Sequence, residues 1–306
     1  MLKKIYKFLV PYPLRIWLRE FYEDSEPYRV LFVAKVLFHL SPRRIGRFFI
    51  SRPTVLFYPD LPRREHHAIY KICYLLGYRM TNALQDKFDI AISWEDTTLK
   101  VIDPRLSDLA KSREVINLRC VDIGKRHVAA VFQEVFGYTS EIDPLTFQGK
   151  CVRKSTENAV HDGKIIDCPI AVKEEGFIYQ RLIDNHFKDE MFYDIRVYIS
   201  KKKIPFVFRK YRKADDRFYS YPKADLMLDV GKFFSDEEIA KILIFAERMG
   251  LDYGELDVLR DGQNGKIYIV DVNNTPAGPR ADRMSRKDFY TAVSTIADAF
   301  QESFAK

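Results

Sequence analysis

The stretch that decides the fold is residues 253–279, YGELDVLRDGQNGKIYIVDVNNTPAGP. It predicts two strands joined by a tight turn, because apolar runs flank residues 261–265, a segment rich in turn-forming residues. Three polar side chains interrupt the apolar runs: Asp257 in the first strand, and Asp271 and Asn273 at the end of the second. Residues two apart in a strand face the same side, and antiparallel pairing can bring Asp257 beside the other two.

These three side chains suit a hard cation. Mg²⁺ takes a few carboxylate oxygens and completes its shell with phosphate oxygens and water. The alternative is a hairpin whose polar residues face water. Asp257 and Asp271 lie among Leu, Ile and Val, however, where an unpaired charge would be costly. The sequence therefore favours a Mg²⁺-phosphate site made of Asp257, Asp271 and Asn273.

This stretch resembles the C-terminal signature of ATP-grasp enzymes, an Asp on one strand followed by Glu/Asp-x-Asn-x-x-Pro-Gly at the end of the next. Asp271 stands where the family more often has Glu, and one extra residue separates Pro276 from Gly278. The resemblance covers residues 52–300 and is closest to the branch that ligates amino acids, such as the glutamate ligases. It implies ATP and Mg²⁺ as cofactors.

The resemblance also assigns two lysines to the nucleotide phosphates. Lys125 opens a predicted helix, and Lys154 lies on a predicted strand that precedes a polar loop, residues 155–163. An ammonium group supplies compact positive charge to phosphate oxygens. Taken singly, either lysine would be expected at the surface. Asn158 and His161 are further candidates in the loop, which has a single glycine where the family commonly has several.

Residues 177–183, FIYQRLI, resemble the hinge at which ATP-grasp enzymes hold adenine. Gln180 stands at the position of the side chain that meets the adenine amino group. The backbones of Arg181 and Ile183 are expected to complete recognition of the ring edge. Without the flanking motifs, the same run is typical of a plain core strand.

Residues 192–198, FYDIRVY, resemble the Asp-Ile-Arg strand of the amino-acid-ligase branch. Asp194 and Arg196 share a face there, so Arg196 is expected at the substrate carboxylate or the transferred phosphoryl group. A structural pair between Asp194 and Arg196 is the alternative. The next strand ends in a cluster of cations at residues 208–213, and Arg209 is predicted as the second catalytic cation because it closes the apolar run.

The predicted elements divide the chain into four parts. They are a basic amphipathic helical extension at residues 1–51, a small parallel α/β domain at 52–117, an ATP-grasp small lobe at 118–190 and a C-terminal lobe with the metal site at 191–306. In the second part the pattern predicts strands at residues 54–58 and 88–94 and a helix at 67–76, and a further strand is predicted at 115–120 after a polar stretch. The fold class is therefore α/β with α+β lobes: an ATP-grasp fold preceded by a parallel α/β domain.

The resemblance implies a ligase that forms an acyl phosphate from a carboxylate and ATP. An amine, or in some members a thiol, then displaces the phosphate, and a C–N bond is the expected product. The expected partners are a small-molecule or peptide carboxylate and an amine acceptor. A small-molecule kinase on the same fold is the first alternative, and a non-catalytic nucleotide-binding protein is the second. The sequence does not fix the oligomeric state.

Positive charge is concentrated in the extension. Residues 1–50 hold ten Lys and Arg against four Asp and Glu, which is +6 of the net +7. Apolar residues at near-helical spacing accompany them, so the extension is expected to pack on the body or to lie on an anionic membrane, with docking on a protein partner as a further alternative. Nucleic acid is not an expected partner, because no binding motif accompanies the charge. Four scattered cysteines predict reduced thiols in a cytoplasmic protein, with the inner face of the membrane as the alternative location.

Overall fold

The computed structural model describes residues 53–64, 66–156, 160, 162–188, 190–213 and 221–305. The predicted helical extension, Asn158 and His161 lie outside these residues. The described part of the chain forms three β-sheets and five α-helices. None of the helices within it is long and apolar enough to cross a membrane.

The first sheet is parallel and has four strands. They are β1 (Thr54–Pro59), β2 (Arg79–Thr81), β3 (Ile90–Trp94) and β4 (Val115–Ile116), in the order β2-β1-β3-β4. Helix α1 (Ala68–Leu76) connects β1 to β2, and the short helix α2 (Pro104–Leu109) connects β3 to β4. The sequence predicted β1, α1 and β3 but not β2 or α2, which are too short to show a clear periodicity.

Strand β4 is shorter than the strand predicted at residues 115–120. Asn117 has a φ of 58°, which turns the chain out of the extended conformation. Its buried side chain accepts hydrogen bonds from the backbone N–H groups of Asp252 and Tyr253, at 2.9 Å each. The prediction is therefore wrong after Ile116, because Asn117 ties this segment to residues 252–253 instead of extending the sheet.

The second sheet is antiparallel and follows helix α3 (Lys125–Phe136), which ends at Gly137 as predicted. Its strands are β5 (Gly149–Ser155), β6 (Lys164–Cys168) and β7 (Phe177–Arg181), in the order β6-β5-β7.

The third sheet is antiparallel and has six strands. They are β8 (His186–Lys188), β9 (Met191–Ser200), β10 (Val207–Lys213), β11 (Lys223–Met227), β12 (Tyr253–Arg260) and β13 (Ile267–Asn273). The order is β11-β10-β9-β12-β13, with β8 paired to β9. Helix α4 (Asp236–Arg248) begins at the predicted capping box of Ser235 and Glu238, and α5 (Arg286–Phe304) is the last described helix.

The two faces of the third sheet have different surroundings. One face is apolar and packs against α3 and α4; its side chains include Ile195, Val197, Val207 and Leu256. The opposite face begins apolar as well, where Tyr198 and Phe208 pack in a second core with α1 and α5. Further along β9, β10, β12 and β13 this second face becomes charged, and we call the charged part the site face. Its members are Asp194, Arg196, Lys210, Arg212, Glu255, Asp257, Asp271 and Asn273.

Candidate nucleotide and metal site

A cavity of about 480 Å³ lies between the second and third sheets, and residues 96–98 after β3 also line it. Its volume is in the range of small-molecule sites. The cavity brings together nine of the ten site residues predicted from the sequence. They are Lys125, Lys154, Gln180, Arg181, Ile183, Arg196, Asp257, Asp271 and Asn273.

The β12–β13 hairpin places the predicted metal ligands side by side. Asp257 pairs directly with Asp271, and Glu255 pairs with Asn273. Directly paired residues of antiparallel strands point to the same face. Asp271 Oδ1 is buried and has no hydrogen-bond partner, and burial together with the Asp257 carboxylate raises the pKa of Asp271. A buried acceptor without a donor is costly, so Asp271 is well suited to a positively charged ligand.

Both oxygens of Asp257 accept hydrogen bonds from cations, whereas Asp271 Oδ1 accepts none. Arg196 donates to both of its oxygens from Nε and Nη2, at 2.9 Å each. Lys210 Nζ lies 2.8 and 2.9 Å from the same two oxygens. Burial alone would raise the pKa of Asp257, but these two cations hold it well below its ordinary value. Asp257 is therefore ionised and already shared by two cations.

The donor set fits Mg²⁺ bound together with phosphate. It offers two carboxylates and one amide, and among the described residues no three His, Cys, Asp or Glu side chains converge on a metal position. Mg²⁺ commonly uses one or two protein carboxylates and completes its octahedron with water and substrate phosphates. Asp271, Asn273 and Asp257 are the residues that would hold it.

Lys154 and Lys125 face this hairpin from the second sheet and from the start of α3. Burial lowers the pKa of Lys154 to about 8, with Lys125 adding to the shift and Asp271 opposing it. The two ammonium groups therefore lie close enough to repel each other. Two converging cations at the wall of a cavity are suited to a polyanion.

The predicted adenine hinge lines the same cavity. Gln180 is buried, and its Nε2 donates to Ser140 Oγ at 3.0 Å, which leaves its Oε1 as an acceptor. The backbone N–H of Arg181 donates to the Ser140 carbonyl at 2.8 Å and is thus not available to a ligand. Ile183 is buried at the cavity wall.

Arg196 lines the cavity, and its predicted role toward a substrate carboxylate or phosphoryl group stays a prediction. Its contacts differ from the alternative, a structural pair with Asp194. Its partners are Asp257 and Glu255, and it does not pair with Asp194. Asp194 instead accepts from Arg212 Nε at 2.8 Å. The site face thus holds a dense set of alternating charges.

The structure does not bring Arg209 to the cavity. Arg209 pairs with Ile195 on the opposite face, and its guanidinium lies 5.0 to 5.4 Å from the ring centroids of Phe187, Tyr193 and Phe233. The neighbouring Lys210 occupies the site face instead, with its side chain 1% exposed. Lys210 was missed because four cations are spread over residues 209–213, and the sequence does not show which of them share a face with Arg196.

Asp96, which follows β3 of the first sheet, is connected to the end of the β12–β13 hairpin through Thr275. Thr275 Oγ1 donates to Asp96 Oδ1 at 3.0 Å, and the Thr275 backbone N–H donates to Asn273 Oδ1 at 2.9 Å. Asp96 also accepts from Arg63. These contacts fix the orientation of Asn273 from outside the hairpin, a link that no sequence pattern had indicated.

No protein-family model and no curated protein sequence matches the chain. Several solved structures are similar to it. D-alanine–D-alanine ligase from Bacillus anthracis, complexed with ATP, is 14% identical, with 82% of this chain and 95% of that chain covered and a TM-score of 0.49. The ATP-grasp ligase PsnB, complexed with precursor peptide PsnA2 and AMPPNP, is 13% identical, with 83% and 99% covered and a TM-score of 0.49.

A RimK domain ATP-grasp protein from Sphaerobacter thermophilus DSM 20745 is 11% identical, with 83% of this chain and 100% of that chain covered and a TM-score of 0.47. In three other PsnB complexes, the match spans 64% to 67% of the PsnB chain. The described chain has a parallel α/β sheet followed by two antiparallel sheets around one cavity, and the α/β fold class with α+β lobes that the sequence predicted is confirmed.

Proposed function

We propose that this chain is a Mg²⁺- and ATP-dependent ligase that joins a carboxylate to an amine. The observation that carries the proposal is that one cavity holds two lysines on one wall and the Asp257, Asp271 and Asn273 hairpin on the other. Cations for phosphate and oxygen ligands for Mg²⁺ are the two components that binding of a nucleotide triphosphate requires.

In this proposal ATP lies along the cavity. Adenine is held at residues 180–183, where the Gln180 Oε1 is suited to accept from the adenine amino group. The triphosphate passes Lys125 and Lys154 and ends near Asp271. The chemistry that bound Mg²⁺ supplies is neutralisation of charge on the terminal phosphates.

The protein's own residues contribute positioning and charge. Arg196, Lys210 and Arg212 lie on the site face beyond the metal hairpin, where a carboxylate substrate and the γ-phosphate would meet. The carboxylate attacks the γ-phosphate and ADP leaves, which gives an acyl phosphate. The amine then attacks the acyl carbon, and inorganic phosphate leaves. Cations fixed in a buried site stabilise the charge that develops in both steps.

Product analysis tests this proposal. Purified protein is incubated with ATP, MgCl₂ and pools of amino acids, short peptides and sugar acids, with and without amine acceptors, and ADP release is followed. The proposal predicts ADP release that requires both an acid and an amine, and a product whose mass equals the two substrates less one water. A phosphomonoester formed without an amine would instead establish a kinase on the same fold.

A further inference from the structure

Arg196 is held by two carboxylates, only one of which is a predicted metal ligand. Asp257 binds the Nε and Nη2 side of the guanidinium at 2.9 Å. Glu255 Oε2 lies 3.2 Å from Nη1 on the other side. Glu255 and Asp257 are two apart on β12, so both point to the site face.

Metal binding conflicts with these contacts of Asp257. Arg196 and Lys210 together place four N–O contacts of 2.8 to 2.9 Å on its two oxygens. A divalent ion coordinated by the same oxygens would compete with both cations and repel them. Asp271, whose Oδ1 has no partner, does not face this competition. Coordination of Mg²⁺ by Asp257 would therefore require its two cations, Arg196 and Lys210, to loosen their hold on its oxygens.

Glu255 is placed to receive Arg196. Its side chain is 1% exposed, and neither oxygen makes a hydrogen bond. Among the described residues, the cation within 4.0 Å of Glu255 is Arg196. Glu255 does not line the cavity, so it is not a ligand for the nucleotide there. A buried carboxylate without hydrogen bonds is costly, and it is compensated here by one guanidinium that is engaged mainly elsewhere.

We infer that Glu255 is a positioning residue that holds Arg196 at the site face when a metal ion engages Asp257. The inference rests on the proposed function, because it assumes that Mg²⁺ binds with the nucleotide at this hairpin. Without Glu255, Asp257 is the carboxylate that remains beside Arg196 among the described residues. Mg²⁺ would then have to compete with the whole Arg196–Asp257 ion pair.

The test measures Mg²⁺ dependence without turnover. Calorimetric titrations with AMPPNP at a series of MgCl₂ concentrations give the Mg²⁺ midpoint for nucleotide binding. Glu255→Gln is predicted to raise this midpoint about tenfold, the size of coupling expected between contacting residues. The surface variant Glu114→Gln, in which the lost carboxylate is half exposed, is the matched control and is predicted to leave the midpoint unchanged.

A double-variant comparison separates the inferred role from the alternatives. If Glu255 acts through Arg196, then Arg196→Met and Glu255→Gln/Arg196→Met will have the same midpoint. An effect of Glu255→Gln that persists without Arg196 would overturn the inference and indicate a direct role at the metal. A Glu255→Gln variant that melts earlier but keeps the wild-type midpoint would overturn it in favour of a purely structural role.

Two further outcomes are distinguishable. Should Glu255→Gln alone fail to fold, the comparison between Arg196→Met and the double variant still tests for a direct role, and equal midpoints support the inference. Wild-type protein that binds no AMPPNP at any Mg²⁺ concentration would contradict the proposed function itself, and the inference would fall with it.

Discussion

The two faces of the third sheet are built from the same strands, but one face is apolar and the other carries paired charges. On the face that packs against α3 and α4, successive inward residues such as Ile195, Val197 and Val207 are buried hydrocarbon. On the site face, the same strands carry Arg196, which is partly buried, and Lys210, which is fully buried. Burying apolar groups stabilises a fold, whereas burying ions costs free energy unless each ion is paired. The stability of the site face therefore depends on ion pairs such as those of Arg196 and Lys210 with Asp257, whereas that of the opposite face comes from apolar burial.

Asp257 and Asp271 repeat this contrast on a smaller scale. They lie opposite each other across the β12–β13 hairpin. Asp257 has its charge compensated by Arg196 and Lys210, which lower its pKa, whereas burial raises the pKa of Asp271 and leaves its Oδ1 without a partner. Asp257 thus contributes to the protein's own charge network, while Asp271 is the group that gains most from a ligand.

The largest effect is expected from Asp271→Asn. The substitution keeps the shape and removes the charge that would meet the metal, so ADP release is predicted to fall about 1,000-fold or more. Thermal stability without nucleotide is predicted to stay level or rise, because the substitution removes a buried charge whose Oδ1 has no hydrogen-bond partner. Steady-state ADP release and thermal melting measure the two quantities. The exposed Asp229→Asn is the control, and wild-type turnover in Asp271→Asn would exclude Asp271 as a metal ligand.

Neighbouring cations on opposite faces give the sharpest comparison. Lys210→Met removes a buried cation from the site face and is predicted to lower turnover about 100-fold. Arg209→Met removes a guanidinium that stacks over three rings, which is predicted to cost about 1 to 2 kcal/mol of stability with turnover within about threefold of wild type. Measuring turnover and chemical denaturation for both variants tests the assignment. A large loss of turnover in Arg209→Met, with turnover near wild type in Lys210→Met, would instead support a catalytic role for Arg209.

A smaller effect is expected at the two lysines that line the opposite wall of the cavity. Lys154→Ala and Lys125→Ala are each predicted to weaken ATP binding about 10- to 100-fold, with less effect on melting without nucleotide. The exposed Lys150→Ala is the matched control on β5. If either cavity variant simply unfolds, that lysine is structural.

The lowered pKa of Lys154 adds a pH dependence to this prediction. Lys154 carries its charge below a pH of about 8 and loses it above, so ATP affinity is predicted to fall as pH rises through that value. The fall should be absent in Lys154→Ala, which has no group to deprotonate there. Calorimetry between pH 7 and 9 checks the slope, and a fall of equal size in both proteins would assign it to another group.

The sequence predicted the elements whose ends carry local signals. Helix α3 begins at Lys125 and ends at Gly137, and α4 begins at the Ser235 capping box, because turn and cap chemistry is encoded within a few residues. The β12–β13 hairpin was predicted for the same reason. Strands β2, β6, β8 and β11 were not predicted, since short strands depend on partners distant in sequence.

The register of strands β9 and β10 explains why Arg209 lies off the site face. At the turn between β9 and β10, Ser200 forms an antiparallel bridge with Lys203. If the two strands kept the register of that bridge, Arg209 would lie opposite Asp194 on the site face. The strands instead pair Val197 with Val207 and Lys210 with Asp194, one residue out of step with the turn. A one-residue shift moves every side chain of a strand to the other face. No local pattern marks that shift, and the same holds for the contact of Glu255 with Arg196.

Calorimetric titration of the wild-type protein with AMPPNP, in MgCl₂ and again in EDTA, is the measurement that bears most closely on the proposed site. The proposed site, with Lys125 and Lys154 on one wall and the unpartnered Oδ1 of Asp271 on the other, predicts one nucleotide per chain, bound at least about tenfold more tightly with Mg²⁺ than without it. Binding that is equal in MgCl₂ and EDTA, or no binding in either, would contradict a metal-nucleotide site at Asp257, Asp271 and Asn273.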